Sequence, residues 1–467
     1  EPKYTEAFKN LIDGFRLILA LTENYHALVM NPPYMGGGKM NSVLSKYVKD
    51  NYEEGKADLF SVFMLMGMER LIDGGKMAQI NMQSWMFLSS FEKLRTQFLT
   101  HYNIDNMLHL GPRTFDELSG EVVQNTAFVL SKHEPSEQGG VYYRLVDGKN
   151  CADKERLFIE AKQGNGTAII NSKSYTVNYP NVEQKNFEKI PGCPIGYWVN
   201  ENIFNIFAGN TPISNYSTAR SGFSTGNNEL FIRTWNEVSF KSIGLELNSN
   251  DEYIKSGLKY VPFTAGGSFR KWYGNQNNVV DWTCPENMHR PRTTYMGLYY
   301  KPAITWNAIT SGILSCRAYG HGFLFEHAAA SLFVNEGYDS CYFLAYINTP
   351  VFRYLLKVLN PTLNNGAEVV SSVPIVFSEA DICCYVEENI SISKQDWDAH
   401  ETSWDFQRNE LLSIDTSTYM ENINYEIEKH FEETGEHICI DPAAPKLGSL
   451  EWRMEQYKTK WERKFMQ

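Results

Sequence analysis

The residues best suited to chemistry are four consecutive ones, Asn31, Pro32, Pro33 and Tyr34, which follow a short apolar run. Residues 25–30 read as a buried parallel strand that ends where the two prolines interrupt it. Ligands of open α/β sheets bind at the carboxyl ends of the strands, so this placement favours a binding or catalytic role. A rigid turn without chemistry is the competing interpretation.

The same four residue types fit a substrate that carries an exocyclic amine. The side-chain oxygen of Asn31 and the carbonyl of Pro32 both accept hydrogen bonds, and proline has no N–H that would compete. Two acceptors hold the two amine hydrogens and leave the nitrogen lone pair free to attack a methyl donor. Pro33 stiffens the loop, and Tyr34 supplies a ring on which an extruded base can stack.

The elements around these residues are those of an open α/β sheet. The spacing of apolar residues predicts helices over residues 5–21, 58–72 and 90–102 and strands over 77–81, 104–110 and 122–131. Asp73, Gly74 and Gly75 would end the second of these helices. Alternating helix and strand over residues 1–150 predicts the α/β class.

The tetrapeptide resembles the catalytic motif of class I, S-adenosylmethionine-dependent amino-methyltransferases, in particular DNA adenine-N6 enzymes. Further segments resemble that family in the same order, namely residues 58–60, 74–78, 83–87 with Arg95, and 125–130. The resemblance implies catalytic roles for residues 31–34. It also implies that Asp58 and Phe60 line the cofactor and base pocket and that Phe128 stacks on a flipped base, the alternative being that Phe128 is a buried strand residue.

The downstream half extends the resemblance. Residues 303–306, 311–312 and 322–325 look like the target-recognition domains of large restriction-modification enzymes, and residues 346–349, 359–362 and 373–375 look like the end of such a domain. Trp397 and residues 401–406 are similar to the tail of the PglX-type adenine methyltransferases of BREX phage-defence systems. The resemblance implies a Rossmann-like catalytic part (residues 1–150), a connecting region (151–200), an α+β target-recognition domain (201–378) and an acidic helical region (379–467).

The cofactor loop of that family has no counterpart in this sequence. Family members place a glycine-rich loop well before the motif, whereas only 30 residues precede Asn31. We therefore expect the C-terminal part of a longer protein, with the main S-adenosylmethionine-binding loop upstream and the chain alone inactive. Residues 36–39 (Gly-Gly-Gly-Lys) do not form a phosphate loop, because Pro33 and Met40 stand where Gly and Ser or Thr are needed. We expect instead a loop that contacts DNA, with Lys39 near a phosphate.

The charge is divided along the chain. The 467 residues contain 43 Lys and Arg against 55 Asp and Glu, a net charge of −12 that at first argues against a nucleic-acid partner. However, residues 379–441 hold 17 acidic and three basic residues, whereas residues 253–325 hold eight basic and two acidic ones. The residues predicted to bind double-stranded DNA are Arg270, Lys271, Trp272, Arg290, Arg292 and Arg317. The acidic tail, residues 379–467, is expected to solvate a surface, with folding back or binding a partner protein as alternatives.

The cysteines and the lengths of the hydrophobic runs argue against several other classes of protein. The eight cysteines contain no CxxC pair and histidines number only 10, so we predict no metal site and a reduced, cytoplasmic protein. No run of about 18 apolar residues exists, so no membrane partner is expected. The absence of a Pro-Cys nucleophile argues against cytosine-C5 methylation.

Together these features predict a site-specific DNA adenine-N6 methyltransferase that marks self DNA in phage defence, alongside other defence proteins. A DNA- or protein-binding specificity module without catalysis is one alternative. The methyltransferase and recognition part of a combined restriction-modification enzyme is another. A protein-glutamine or ribosomal-RNA methyltransferase fits less well, because those compact enzymes leave the downstream residues without a role.

Overall fold

A computed structural model of the chain describes residues 2–115, 123–377, 381–414, 417–435 and 449–466. The chain divides into two compact units. The first comprises Glu1–Thr211, Tyr354–Thr362 and Ser372–Val376, and the second comprises Pro212–Arg353, Leu363–Ser371 and Phe377–Gln467. The boundaries predicted at residues 150, 200 and 378 describe a division by function, and they stay a prediction.

The first unit alternates helices and strands. Its helices are α1 (Pro2–Thr22), α2 (Ser42–Asn51), α3 (Leu59–Glu69), α4 (Glu92–His101), α5 (Cys151–Gln163) and α6 (Glu201–Gly209). Its strands are β1 (Tyr25–Met30), β2 (Leu71–Met82), β3 (Asn103–Pro112), β4 (Gln124–Ser131), β5 (Gly140–Arg144), β6 (Thr167–Ile170), β7 (Lys173–Thr176) and β8 (Asn178–Val182).

Six of these strands form one mixed sheet in the order β1-β2-β4-β3-β5-β8. β1 runs parallel to β2, and β4 runs antiparallel to both β2 and β3. The carboxyl ends of β1, β2 and β3 and the start of β4 therefore meet at one edge, where Met82 lies opposite Asn125. The predicted α/β class is confirmed, and this edge is the part of the fold that positions the site.

Two local predictions were wrong. β1 lies at the end of the strand order rather than inside the sheet, and Val29 is 83% exposed. α3 ends at Glu69, and residues 73–75 lie within β2 instead of ending the helix. Gly74 has φ +76° and the β1–β2 register shifts between Tyr25 and Ala27, so the glycines form an irregularity in a long strand.

The second unit contains two four-stranded sheets, ordered β10-β12-β11-β15 and β14-β13-β16-β9. Its strands are β9 (Ser217–Arg220), β10 (Ile232–Thr234), β11 (Tyr260–Thr264), β12 (Asn278–Asp281), β13 (Ala303–Asn307), β14 (Cys316–Tyr319), β15 (Leu324–Phe325) and β16 (Ala329–Val334). An aromatic core that includes Phe223, Trp282, Tyr299 and Phe325 packs against them. The second unit therefore has the mixture of helices and short strands that the sequence predicts for an α+β domain.

The helices after residue 211 are α7 (Asn228–Phe231), α8 (Asn250–Ser256), α9 (Ser340–Ile347), α10 (Pro350–Leu359), α11 (Ala367–Ser371), α12 (Cys383–Asp398), α13 (Ser417–Thr434) and α14 (Leu450–Met466). Most of α10 belongs to the first unit. Thr349 caps the start of α10, because its hydroxyl accepts from the Phe352 N–H at 3.1 Å. Within the described ranges, every helix is too short or too polar to cross a bilayer.

Candidate functional site

The tetrapeptide 31–34 lies where β1 ends, at the carboxyl edge of the sheet. Asn31 and Pro33 are exposed, Pro32 is buried and Tyr34 is half-buried. The buried Pro32 fixes the loop to the sheet, while the Asn31 amide stays accessible. The loop therefore presents a hydrogen-bonding side chain next to an aromatic ring, as the sequence predicts.

Tyr34 is held in place by a residue of another strand. The Asn125 side-chain amide, at the start of β4, donates to the Tyr34 hydroxyl at 2.9 Å and to the Asn81 carbonyl at 3.3 Å. The edge of the Phe60 ring meets the Tyr34 ring, with centroids 6.2 Å apart and planes at 83°. Burial raises the pKa of Tyr34, and Asp58 adds to this while the Asn125 hydrogen bond opposes it. The Tyr34 side chain is thus a neutral ring in a fixed orientation.

The loop that follows Tyr34 is attached to the start of α3. Asp58 is the N-cap of α3 and accepts from Phe60 N–H at 3.3 Å, and the same oxygen accepts from Met35 N–H at 2.9 Å. Gly37 N–H donates to the Ala57 carbonyl at 2.9 Å. Burial raises the pKa of Asp58, and these backbone donors and Lys39 oppose the rise. One carboxylate therefore connects the loop after Tyr34 to the helix.

Two of the predicted site residues are buried. Phe128 is 2% exposed and packs on Trp85, so the prediction that it stacks on a flipped base is wrong and the buried alternative is right. Phe60 is fully buried between Tyr34 and Phe91, so its predicted direct contact with cofactor or base is also wrong. Phe60 instead supports the Tyr34 ring from within the fold.

Buried amides near the tetrapeptide were missed from the sequence. Gln79 donates to the Phe60 carbonyl at 3.2 Å, and Asn81 donates to the Met64 sulfur at 3.3 Å. The side-chain oxygens of Gln79, Asn81 and Asn125 have no hydrogen-bond partner among the described residues. Burying unpaired polar groups costs free energy, so packing alone does not explain why these three amides are buried here. The available signal was the alternation of Gln79 and Asn81 within residues 77–82, where the other four residues are apolar.

A buried histidine network lies at the same edge of the sheet. His109 contacts Gln83 at 2.7 Å and the Tyr197 hydroxyl at 2.9 Å, and Gln83 donates to Gln124 at 2.5 Å. Burial, with smaller effects from Arg144 and Lys154, lowers the pKa of His109 to about 3. The imidazole is therefore neutral at physiological pH and fixes the side chains where β2 ends and β4 begins.

Three of the basic residues predicted to bind DNA are engaged inside the second unit. Arg317 is 1% exposed, and its guanidinium donates to Asn307 at 3.2 Å. Lys271 donates to the Asn348 carbonyl at 3.2 Å. Arg270 pairs with Asp396 at 2.7 Å and lies over the Trp397 ring. Arg317 is therefore buried, and Arg270 and Lys271 are bonded to other residues of this unit, while their contacts with DNA stay predictions.

The remaining predicted DNA contacts are more accessible. Arg290 and Lys39 are exposed. Arg292 is half-buried with its guanidinium 5.8 Å from the Tyr295 ring centre. Trp272 is half-buried, and its backbone pairs with Cys316 and Ala318. Their roles stay predictions.

Part of the acidic tail folds back onto the basic segment. As described above, the Arg270 guanidinium pairs with Asp396 and lies over the Trp397 ring, both in α12. Lys394 pairs with Asp398 at 2.6 Å and Asp405 at 2.8 Å and lies 5.2 Å from the Tyr273 ring centre. The expectation that the tail only solvates a surface is wrong for α12, because opposite charges and cation–π contacts hold it in place.

The sequence has relatives along most of its length. Residues 3–115 match the Eco57I restriction-modification methylase family. The chain is 37% identical over 439 residues to the adenine-specific methyltransferase PglX of Lacticaseibacillus casei (strain Zhang), covering 91% of this chain and 35% of that protein. It is 34% identical over 415 residues to the adenine-specific methyltransferase BrxX of Escherichia coli O9:H4 (strain HS), covering 87% and 32%.

Among solved structures, the chain is similar to the Type IIL restriction-modification enzyme MmeI in complex with DNA. That match has a TM-score of 0.48 and 10% identity, and covers 94% of this chain and 57% of the other. The chain spans about a third of the length of the two methyltransferases it matches in sequence. Over most of its own length, the chain is therefore similar in sequence to the PglX and BrxX adenine-specific methyltransferases.

Proposed function

We propose that the chain carries the base-holding part of a DNA adenine-N6 methyltransferase that modifies a flipped adenine in double-stranded DNA. The observation that supports this most is the exposed Asn31 next to a Tyr34 ring that Asn125 holds in place. The names of the relatives point to the same base. The proposal includes a role in marking self DNA during phage defence. It also includes other defence proteins as partners and a location in the cytoplasm.

The residues of the loop would act on the adenine amine directly. The Asn31 side-chain oxygen and the Pro32 carbonyl would accept its two hydrogens, and the Tyr34 ring would stack on the base. This arrangement leaves the amine lone pair free to form the new bond to carbon. A substrate held by acceptors alone needs no covalent bond to the enzyme.

S-adenosylmethionine, when bound, would supply the methyl group. Asp58 fits a role at this cofactor, because its carboxylate is half-buried at the carboxyl edge and its orientation is fixed by backbone donors. It would accept hydrogen bonds from amino or hydroxyl groups of the cofactor. Phe60 would contribute only by supporting Tyr34.

DNA contacts are proposed for the accessible basic residues. Arg290 and Arg292 lie in the second unit, and Lys39 lies in the loop after Tyr34. Such side chains neutralise phosphates, so binding should weaken steeply with salt. Trp272 would add a half-exposed ring near the basic segment.

The alternatives differ in measurable ways. A specificity module without catalysis is not favoured by relatives that are named methyltransferases. It would show no saturable uptake of labelled S-adenosylmethionine. A combined restriction-modification enzyme would share this site and add a nuclease activity on unmodified DNA.

The test is the substitution Asn31→Ala in the natural protein that contains this chain. We expect methyl transfer from labelled S-adenosylmethionine to DNA to fall by at least about 100-fold, because a hydrogen bond made to the reacting group is lost. DNA affinity should change little. The matched control is Asn202→Ala, since Asn202 is exposed on α6 in the same unit. Methylation retained in Asn31→Ala would refute the assignment.

A further inference from the structure

The second unit brings two neighbouring metal-ligating side chains together with a third that is distant in the sequence. Ligand atoms of Asp339, Cys341 and Cys383 all lie within 4.8 Å of one another. Asp339 precedes α9, Cys341 is in its first turn, and Cys383 is the first residue of α12. Because the two cysteines lie 42 positions apart, the sequence has no CxxC-type spacing that would predict this cluster.

Hydrogen bonds already hold the three groups in a common orientation. One Asp339 oxygen accepts from the Cys341 N–H at 2.8 Å, and the other accepts from the Cys383 thiol at 2.5 Å. The two thiols are partly exposed and Asp339 is exposed, so the cluster is open to solvent on one side. A cation could therefore reach all three ligand atoms.

The charges around the cluster favour a cation. The carboxylates that act on the two thiols are those of Asp339, Asp381 and Glu387. Burial, with the carboxylates of Asp339 and Glu387, raises the pKa of Cys341, and the hydrogen bond to Asp339, with Asp381 adding to it, raises the pKa of Cys383 to about 12. A divalent cation would reverse this effect, because it stabilises both thiolates and neutralises the carboxylate.

We propose that Asp339, Cys341 and Cys383 bind a zinc-class divalent cation that connects α9 to α12. Two thiolates and one carboxylate are a ligand set that zinc accepts, and water would complete a tetrahedron on the open side. Each thiol releases its proton to solvent as its sulfur–metal bond forms. The site would fix the start of the acidic tail to the rest of the second unit, so its role is structural.

The test uses the whole chain, purified in reducing buffer without chelator. We expect about one zinc per chain by elemental analysis, and a thiolate-to-cobalt charge-transfer band when cobalt replaces zinc. Cys341→Ser and Cys383→Ser should each weaken zinc binding by more than about 100-fold, since even outer-shell changes cost 10- to 100-fold. Cys384→Ser is the matched control, because Cys384 is exposed, adjacent and outside the cluster, and it should bind normally.

A second measurement needs no variant. Zinc should slow alkylation of Cys341 and Cys383, but not of Cys384, when the sites are followed by mass spectrometry. The proposal fails if the chain binds no zinc or cobalt, if both serine variants bind as well as the control, or if zinc protects neither thiol. A disulfide between Cys341 and Cys383 that persists in reducing buffer would also overturn it.

Discussion

A hydrogen bond from the Asn125 side chain anchors the Tyr34 hydroxyl, while Phe60 supports the ring. The Asn125 amide reaches across from β4 to its hydroxyl, and Asn125 is itself only 1% exposed. Because Asn125 acts here through the Tyr34 hydroxyl, we propose it as a positioning residue. A ring held in this way offers a stacking face without reorganising when a base arrives.

Replacing Asn125 with Ala should lower methyl transfer by about 10-fold, because the ring loses its anchor. Tyr34→Phe removes the same hydrogen bond from the other side and should have a similar effect. If the bond is what matters, the double variant should be no worse than either single one. Rates measured in such a cycle would contradict the account if the two effects simply added.

His109 should make the fold sensitive to acid. Its pKa is about 3 in the folded chain, against an ordinary value of 6.5 for a solvated imidazole. Between these values the unfolded chain binds the proton and the folded chain does not, so stability is lost as pH falls below about 6.5. In His109→Gln, the free energy of unfolding should fall less steeply over this window, by about 1.4 kcal/mol per pH unit. Equal slopes in denaturant titrations of the two proteins would contradict this.

At the scale of elements, Gly37 lies close to the residues just before α3. We expect this close approach to set the position of the loop after Tyr34. A Cβ at Gly37 would lie 2.7 Å from the Lys56 carbonyl oxygen, whereas one at Gly38 would meet nothing within 4 Å. The added Cβ and the Lys56 carbonyl are both fixed to the main chain, so neither can move away without shifting the backbone.

Gly37→Ala should therefore push the loop away from α3. We expect a loss of about 1–3 kcal/mol in stability and a clear loss of methyl transfer. Gly38→Ala, its neighbour, should leave both nearly unchanged. Thermal unfolding and methylation of the two variants would decide, and equal behaviour would show that the contact does not position the loop.

The sequence predicted these elements well where one local pattern determined them. β1 covers Tyr25–Met30, where the apolar run predicts a strand, and it ends directly before the tetrapeptide. Burial was predicted less well, because it depends on which strand becomes an edge and which arginine finds a partner. Val29 and Arg317 illustrate both cases, since neither their residue types nor their neighbours in sequence indicate the strands beside them.

At the scale of the whole molecule, the net charge of −12 does not describe the surface that we propose binds DNA. Part of the negative charge is used inside the second unit, where α12 pairs with the basic segment. Arg270 is therefore held by Asp396, so the tail limits how much positive charge that segment presents. Site residues that lie far apart in sequence, such as Asn125 and Tyr34, likewise come together only in the folded chain.

Asp396→Asn should release Arg270 and strengthen DNA binding. We expect a steeper salt dependence, by about one unit in the log–log slope, because one more phosphate contact becomes available. Glu388→Gln is the control, since it removes the same charge from an exposed position on the same helix. Identical affinities and slopes for the two variants would show that the Arg270 pair does not compete with DNA.

The most direct test of the central claim is methylation-aware sequencing of DNA from cells that carry the natural gene containing this chain. The account predicts N6-methyladenine at one recurring sequence, its disappearance with Asn31→Ala and its retention with Asn202→Ala. Adenine methylation that persists in Asn31→Ala, or a modified base other than adenine, would contradict it.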